Sequence, residues 1–133
     1  MKSIFISIFI ALVLIFGAIM ISNNKSNQNS NADVSVSINN VSVVDGKQII
    51  EIRAKGGYQP RKSIAKAGMP TILRFNTNST FDCSSLIRIP SLDISKALPQ
   101  TGTTDIDIGV SQVGELNGAC GMGMYPFEVD FQN

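Results

Sequence analysis

Two hydrophobic patterns divide the chain. Residues 4–21 form a nearly unbroken apolar run that follows Lys2, whereas apolar and polar residues alternate over much of the chain from Val34 onward. An apolar run of this length is just sufficient to cross a bilayer as an α-helix. We therefore expect residues 1–22 to be a transmembrane anchor, with a cleaved signal sequence as the alternative.

The segment after the apolar run is rich in asparagine and serine. Residues 23–33 carry little that could be buried, which predicts a flexible tether. Because Lys2 favours a cytoplasmic amino terminus, we expect the domain formed by residues 34–133 to lie outside the cytoplasm, held at the cell membrane by a single-pass anchor.

Alternation with a period of two predicts a series of β-strands in this domain, because successive side chains of a strand point to opposite faces. The clearest alternating sets are Val34/Val36/Ile38, Ile50/Ile52/Ala54, Ile106/Ile108/Val110 and Phe127/Val129/Phe131, with residues 71–76 and 86–89 as further candidates. Asp45-Gly46 predicts a two-residue hairpin turn. Residues 91–98 predict a short helix that Pro99 ends. Several short strands without a long helix indicate an all-β fold, an antiparallel sandwich or Greek-key barrel.

The composition argues against several functional classes. The chain has 11 basic and 10 acidic residues and no histidine. Nucleic-acid binding usually requires a basic face, which this charge balance does not favour. Histidine is the commonest general base and the commonest metal ligand, so its absence argues against hydrolytic triads and zinc hydrolase sites. We expect that the protein is not an enzyme and takes no small-molecule substrate.

Sulfur atoms cluster near the end of the chain, in the segment Cys120-Gly121-Met122-Gly123-Met124-Tyr125. If this segment is extended, Cys120, Met122 and Met124 project to the same side. A thiolate and two thioethers are soft donors, which favour Cu(I) among biological metals. Cys83 is the fourth candidate ligand. We expect the fold to bring it, just before a strand, to a sulfur-bearing loop between the last two strands.

Other interpretations of these residues stay open at this point. Two cysteines in an extracytoplasmic domain commonly form a disulfide, so Cys83 and Cys120 could instead stabilise a structural or binding module at the cell surface. Met122 and Met124 could pack inward as adaptable core residues. A blue-copper electron-transfer site is disfavoured because it needs two histidines beside the cysteine.

The sequence from about Gly57 to the end resembles bacterial cupredoxin-like domains involved in copper resistance. The resemblance rests on Gly57-Tyr58-x-Pro60, Ala67-Gly68-x-Pro70, Phe81-x-Cys83-Ser84-Ser85, Ile89-Pro90-Ser91-Leu92 and the motif at residues 120–125. With its anchor and tether, the whole chain is similar to the CupA-type membrane-anchored Cu(I) chaperones of Gram-positive bacteria. It is also similar to the cupredoxin-like N-terminal domain of copper-exporting P-type ATPases.

This resemblance implies a cupredoxin-like Greek-key domain that holds two copper (Cu⁺) ions in a binuclear site. Its metal ligands would be Cys83, Cys120, Met122 and Met124, with thiolates dominating a tight position and thioethers a weaker, more exposed one. The implied function is to capture cuprous ions and pass them to a copper-exporting P-type ATPase, in copper resistance and copper homeostasis. A cupredoxin electron-transfer protein is the alternative with the same fold. Residues 113–119 lack the aromatic residue that many cupredoxin-like domains place just before this cysteine.

Overall fold

Ten β-strands, with short 3-10 helices after the fifth and sixth, make up residues 40–133, the part of the chain that this computed structural model describes. The strands are β1 Val41–Val44, β2 Lys47–Ala54, β3 Tyr58–Gln59, β4 Lys62–Lys66, β5 Pro70–Thr77, β6 Leu86–Ile89, β7 Ile94–Ala97, β8 Gly102–Val110, β9 Gly114–Cys120 and β10 Pro126–Gln132. The 3-10 helices are Cys83–Ser85 and Pro90–Leu92. The all-β prediction is confirmed.

Three predictions concern residues that lie outside the described part of the chain. These are the transmembrane anchor at residues 1–22, the tether at residues 23–33 and the strand around residues 34–38. Over residues 40–133, the structure contains no helix with the length and apolar character needed to span a bilayer.

The strands form two sheets. The first has the order β1-β2-β5-β8, with β3 pairing to β2, and the second has the order β4-β10-β9-β6-β7. The β2–β5 and β4–β10 pairs are parallel, and the remaining pairs are antiparallel. The expectation of a purely antiparallel fold is therefore wrong for two pairings. Both parallel pairs join strands that are not neighbours in sequence, so no local turn signal could reveal them.

The predicted alternation decides which face of each strand is buried. Ile50, Ile52 and Ala54 are fully buried, while the residues between them are exposed, and Phe127, Val129 and Phe131 repeat the pattern in β10. The Asp45-Gly46 hairpin joins β1 to β2 as predicted, and both turn residues have positive φ, the conformation that such a turn requires.

The helix predicted over residues 91–98 is wrong. A single 3-10 turn at Pro90–Leu92 ends at Asp93, whose left-handed φ of 53° stops any helical continuation. The chain then forms β7, in which Ile94 pairs with Ile89 and Ala97 with Leu86. The tertiary pairing with β6 thus overrides the weak local helix signal.

Three aromatic rings hold the two sheets together. Tyr58, Phe75 and Phe127 contact one another edge-to-face, with ring centroids 5.0–5.9 Å apart. Aromatic pairs favour this geometry because the positive edge of one ring meets the negative face of the other. Phe127 also packs against its cross-strand partner, Gly118 of β9. The absence of a side chain at Gly118 leaves the space that this ring occupies.

We predict that Gly118→Ala lowers the free energy of unfolding by about 1–3 kcal/mol, the usual cost of overpacking a core. A Cβ atom at this position would overlap the Phe127 ring. Guanidinium unfolding of the full chain in detergent micelles measures the change. Asn117→Ala is the control, because Asn117 is exposed on the opposite face of the same strand. Equal unfolding midpoints for the wild type and Gly118→Ala would contradict this account of the core.

Candidate metal centre

The pairing of β6 with β9 brings the two cysteines together. Cys120 is the last residue of β9 and lies opposite Ile87 of β6, and Cys83 lies in the 3-10 turn that leads into β6. Their Cα atoms are 5.6 Å apart, and the two sulfur atoms are joined as a disulfide. The fold therefore brings together two residues that are 37 positions apart in sequence.

The sequence analysis left open whether the two cysteines bind a metal or form a disulfide, and the structure contains the disulfide. It places both sulfur atoms at one point in the fold, which either role requires. A reduced pair on the same backbone would offer two thiolates to one ion, since thiolates are the soft ligands that Cu(I) prefers. The oxidation state of the two cysteines therefore decides which of the two candidate roles, disulfide or metal ligands, the pair can have.

Asp82 fixes the turn that carries Cys83. Its carboxylate accepts hydrogen bonds from the backbone N–H of Ser84, at 2.8 Å, and from the Ser84 hydroxyl, so that it caps the 3-10 helix. Its second oxygen accepts from the N–H of Gly56, at 2.9 Å. The hydrogen bond from the Ser84 hydroxyl, helped by those from the two N–H groups, lowers the pKa of Asp82 from its usual value. The carboxylate thus links the Cys83 turn to the loop after β2.

A second set of contacts holds the same turn from the inside. The N–H of Gly57 donates to the buried Ser84 hydroxyl oxygen at 2.9 Å. The Tyr58 hydroxyl lies 3.3 Å from the Ser84 carbonyl and 3.2 Å from the Leu86 carbonyl, and donates toward both. Burial, and then the negative charge of Asp82, raises the pKa of Tyr58 above its usual value, so the hydroxyl stays protonated further into the alkaline range. These contacts leave Cys83 little freedom of position.

The segment after Cys120 is a tight turn and not the extended strand that the sequence analysis assumed. The Cys120 carbonyl accepts from the N–H of Gly123 at 2.8 Å, and the Cys120 N–H donates to the Tyr125 carbonyl at 3.1 Å. Gly123 has a φ of 74°, which favours glycine. The premise that strand alternation aligns the three sulfurs is therefore wrong. The predicted placement of this turn before the last strand is confirmed.

The methionines are far more exposed than Cys120, whereas Cys83 is half-buried. Cys120 is 1% exposed, whereas Met122 is 74% and Met124 is 58% exposed. The interpretation of the methionines as inward-packing core residues is thus not what the structure shows. The two thioethers are therefore at the surface, on the turn that directly follows the buried Cys120.

Residues 121–125, which we call the methionine turn, are held by contacts at both ends, next to β9 and next to β10. The N–H of Gly121 donates to the Leu86 carbonyl at 3.0 Å, and the Leu86 side chain lies against Gly121. The Tyr125 ring lies against Gly57, so that a Cβ atom added at Gly57 would be in van der Waals contact with the ring. The base is therefore held by β6 and by the loop after β2, while the tip carries the methionines.

The sequence analysis quoted Gly57, Tyr58 and Ser84 within motifs but gave them no role at the site, and it did not single out Asp82. A usable signal was present, because an aspartate two residues before a serine is typical of a capped turn. In residues 40–133, no three side chains drawn from His, Cys, Asp and Glu are grouped so as to hold a metal ion.

Two β-sheets packed around one hydrophobic core are consistent with a cupredoxin-like architecture. The family model described as Cupredoxin-like domain matches residues 9–129 of this chain. The chain belongs to the cupredoxin-like domain family. No curated protein matches it significantly in sequence.

Two solved structures share the fold. One is the metal-binding domain of the Cu(I)-exporting P-type ATPase CopA from Streptococcus pneumoniae D39 with Cu(I), at 22% identity and a TM-score of 0.65, covering 74% of this chain and 98% of that chain. The other is a copper-binding protein solved by NMR in its apo form, at 24% identity and a TM-score of 0.67, covering 75% of this chain and all of that chain. At this level of identity the likeness establishes the fold.

We predict that Asp82→Ala lowers the free energy of unfolding at neutral pH by about 0.5–2 kcal/mol, the usual cost of losing a capping side chain. Because folding lowers the pKa of Asp82, its contribution is present above the unfolded pKa of about 3.9 and is lost as the pH falls through the folded value. The difference in the free energy of unfolding between the wild type and Asp82→Ala should therefore become smaller in acid. Denaturant unfolding across pH measures it.

Asp93→Asn is the matched control for Asp82→Ala. It removes the same charge, and asparagine tolerates the left-handed backbone of Asp93. We expect this control to unfold within about 0.5 kcal/mol of the wild type. An Asp82→Ala gap that widens in acid would contradict the capping role.

Proposed function

We propose that this protein is an extracytoplasmic, membrane-anchored Cu(I) metallochaperone that passes cuprous ions to a copper-exporting P-type ATPase. The observation that carries this proposal is that Cys83 and Cys120 lie together and that the turn after Cys120 exposes Met122 and Met124. Membership of the cupredoxin-like family supports copper as the metal.

In the reduced protein, the cysteine pair is the tight position for Cu⁺. Two thiolates around a monovalent cation leave a net negative charge, which favours the cation. Binding releases thiol protons, so the apparent affinity for Cu(I) rises with pH. The absence of histidine from the whole chain leaves sulfur as its soft donor class.

The methionine turn is the exchange position. Thioethers are neutral and hold Cu⁺ less tightly than thiolates do. Their exposure lets an incoming ligand reach the metal, while the anchored base keeps the turn beside Cys120. A second ion held mainly by Met122 and Met124 makes the site binuclear.

A similar domain supports the choice of a copper-exporting P-type ATPase as the acceptor. The metal-binding domain of the CopA exporter shares this fold and was solved with Cu(I). Under this proposal, Cu⁺ passes from the sulfur ligands of this chain to the acceptor by stepwise ligand replacement. The apolar run at residues 4–21 supports a position beside such an exporter at the membrane.

A second candidate function is a structural or binding module at the cell surface, stabilised by the Cys83–Cys120 disulfide. The observation that favours it is the disulfide itself. In the chain-entropy model, closing a loop of this length contributes about 4 kcal/mol of stability. An electron-transfer role lacks comparable support, because the chain has no histidine for a blue-copper site.

We predict that Cys83→Ser and Cys120→Ser each lower the affinity for Cu(I) by more than the roughly 10- to 100-fold that changes in the outer shell of a metal site cost. An anaerobic Cu(I) titration of the reduced full chain against a colorimetric competitor measures the affinity. Thiol titration without reductant and circular dichroism on the same samples report the native oxidation state and the fold. Variants that keep wild-type affinity, or a wild type that binds no Cu(I) when reduced, would support the structural module.

We predict that the double variant Met122→Leu/Met124→Leu binds one Cu(I) ion where the wild type binds two. Leucine keeps the apolar volume and removes the thioether, so the thiolate position should keep its affinity. Cu(I) stoichiometry in the same anaerobic titration measures the change. Met69→Leu is the control, because Met69 lies in the turn before β5, at the opposite end of that strand from the Cys83 turn. Loss of both ions in the double variant, or of neither, would contradict this division.

A further inference from the structure

A groove runs along the outer face of the second sheet to the methionine turn. Its volume is about 540 Å³, and its lining residues are Arg88, Pro90, Asn117, Gly118, Ala119, Cys120, Gly121, Met122, Gly123 and Pro126. We call it the Arg88 groove. Most of its wall is apolar or glycine backbone, and the exposed Met122 lies at one end. The groove thus continues directly into the exchange position.

Arg88 is the single charged residue among those that line the groove. It points outward between the buried Ile87 and Ile89, and it forms no ion pair in residues 40–133. The acidic residues of β10 on this face, Glu128 and Asp130, are both paired with Lys62, at 2.6 and 3.8 Å. The guanidinium is therefore available to an anion.

A groove with one cation, one amide and a soft donor at its end suits a small ligand with matching groups. An arginine guanidinium binds carboxylate through paired N–H donors. Asn117 adds a neutral hydrogen-bonding group. Cu(I) is carried in solution by soft ligands, above all by thiolates. A low-molecular-weight thiol that bears a carboxylate combines these features.

We infer that the Arg88 groove binds the carboxylate of a small thiol that carries Cu(I), and so directs the metal to Met122. This inference rests on the proposed function and names the copper donor for the same site. In the transfer step, a Cu–S bond to the Met122 thioether forms as the Cu–S bond to the carrier breaks. The carrier leaves as a thiolate and takes a proton from water, and copper stays Cu(I) throughout.

A first experiment tests the groove without copper. Glutathione blocked by S-methylation carries two carboxylates but can neither bind Cu(I) as a thiolate nor exchange with a disulfide. We expect it to shift the backbone amide NMR signals of residues 117–123 of the full chain in micelles, saturably. Arg88→Gln should weaken this binding by about fivefold, the upper range for one exposed ion pair. Arg53→Gln is the matched control, since Arg53 is an exposed arginine on the other sheet. Absence of shifts in the wild type, or equal binding by Arg88→Gln, would overturn the inference.

A second experiment tests delivery. The reduced protein is loaded anaerobically from Cu(I)–glutathione, from Cu(I)–2-mercaptoethanol and from Cu(I)–acetonitrile, with stopped-flow tyrosine emission as the readout. Arg88→Gln should slow loading from glutathione by about fivefold and should not slow loading from the two donors that lack a carboxylate. High salt should remove the difference. Equal slowing with all three donors would overturn the role of the carboxylate. If the wild type fails to load even from acetonitrile, the proposed function itself is wrong.

Discussion

The pairing of β6 with β9 is the constraint on which the site depends. It joins two strands from distant parts of the chain, and it places the turn before β6 beside the end of β9. Cys83 and Cys120 therefore meet because of backbone hydrogen bonds and not because of their own chemistry. The Asp82 cap and the Tyr58 hydroxyl then restrict the first cysteine, while the Leu86 carbonyl restricts the turn after the second. The backbone thus holds both cysteines in place, whether they bind a metal or form a disulfide.

The sequence predicted the architecture best where one face of a strand is buried and the other faces solvent. Alternation in β2 and β10, and the Asp45-Gly46 turn, are properties of a few neighbouring residues and are read directly. The strand β9 is different. Its segment Gly114-Glu115-Leu116-Asn117-Gly118-Ala119-Cys120 contains residues that disfavour strands, and it is extended because β10 and β6 pair with it on both sides.

The candidate site residues were chosen from the sequence, and the structure shows a geometry that the sequence analysis did not predict. Cys83, Cys120, Met122 and Met124 were selected for the softness of sulfur, which is a property of residue type. The structure brings the cysteines together, yet the methionines reach their exposed positions through a turn at Gly123 and not through strand alternation. The turn depends on hydrogen bonds closed by the β9–β10 connection. The supporting network around Asp82 depends on contacts between segments 26–27 residues apart, which no local pattern reports.

The separation of the cysteines along the chain ties the site to the folded state. The two cysteines are 37 positions apart, and in the reduced chain nothing local holds them together when the sheets are not formed. The unfolded polypeptide contains the same four sulfur atoms as scattered weak ligands. Under the proposed function, folding must precede loading, and a bound ion then stabilises the sandwich against opening by mass action. The bound copper ion and the folded structure would then each stabilise the other.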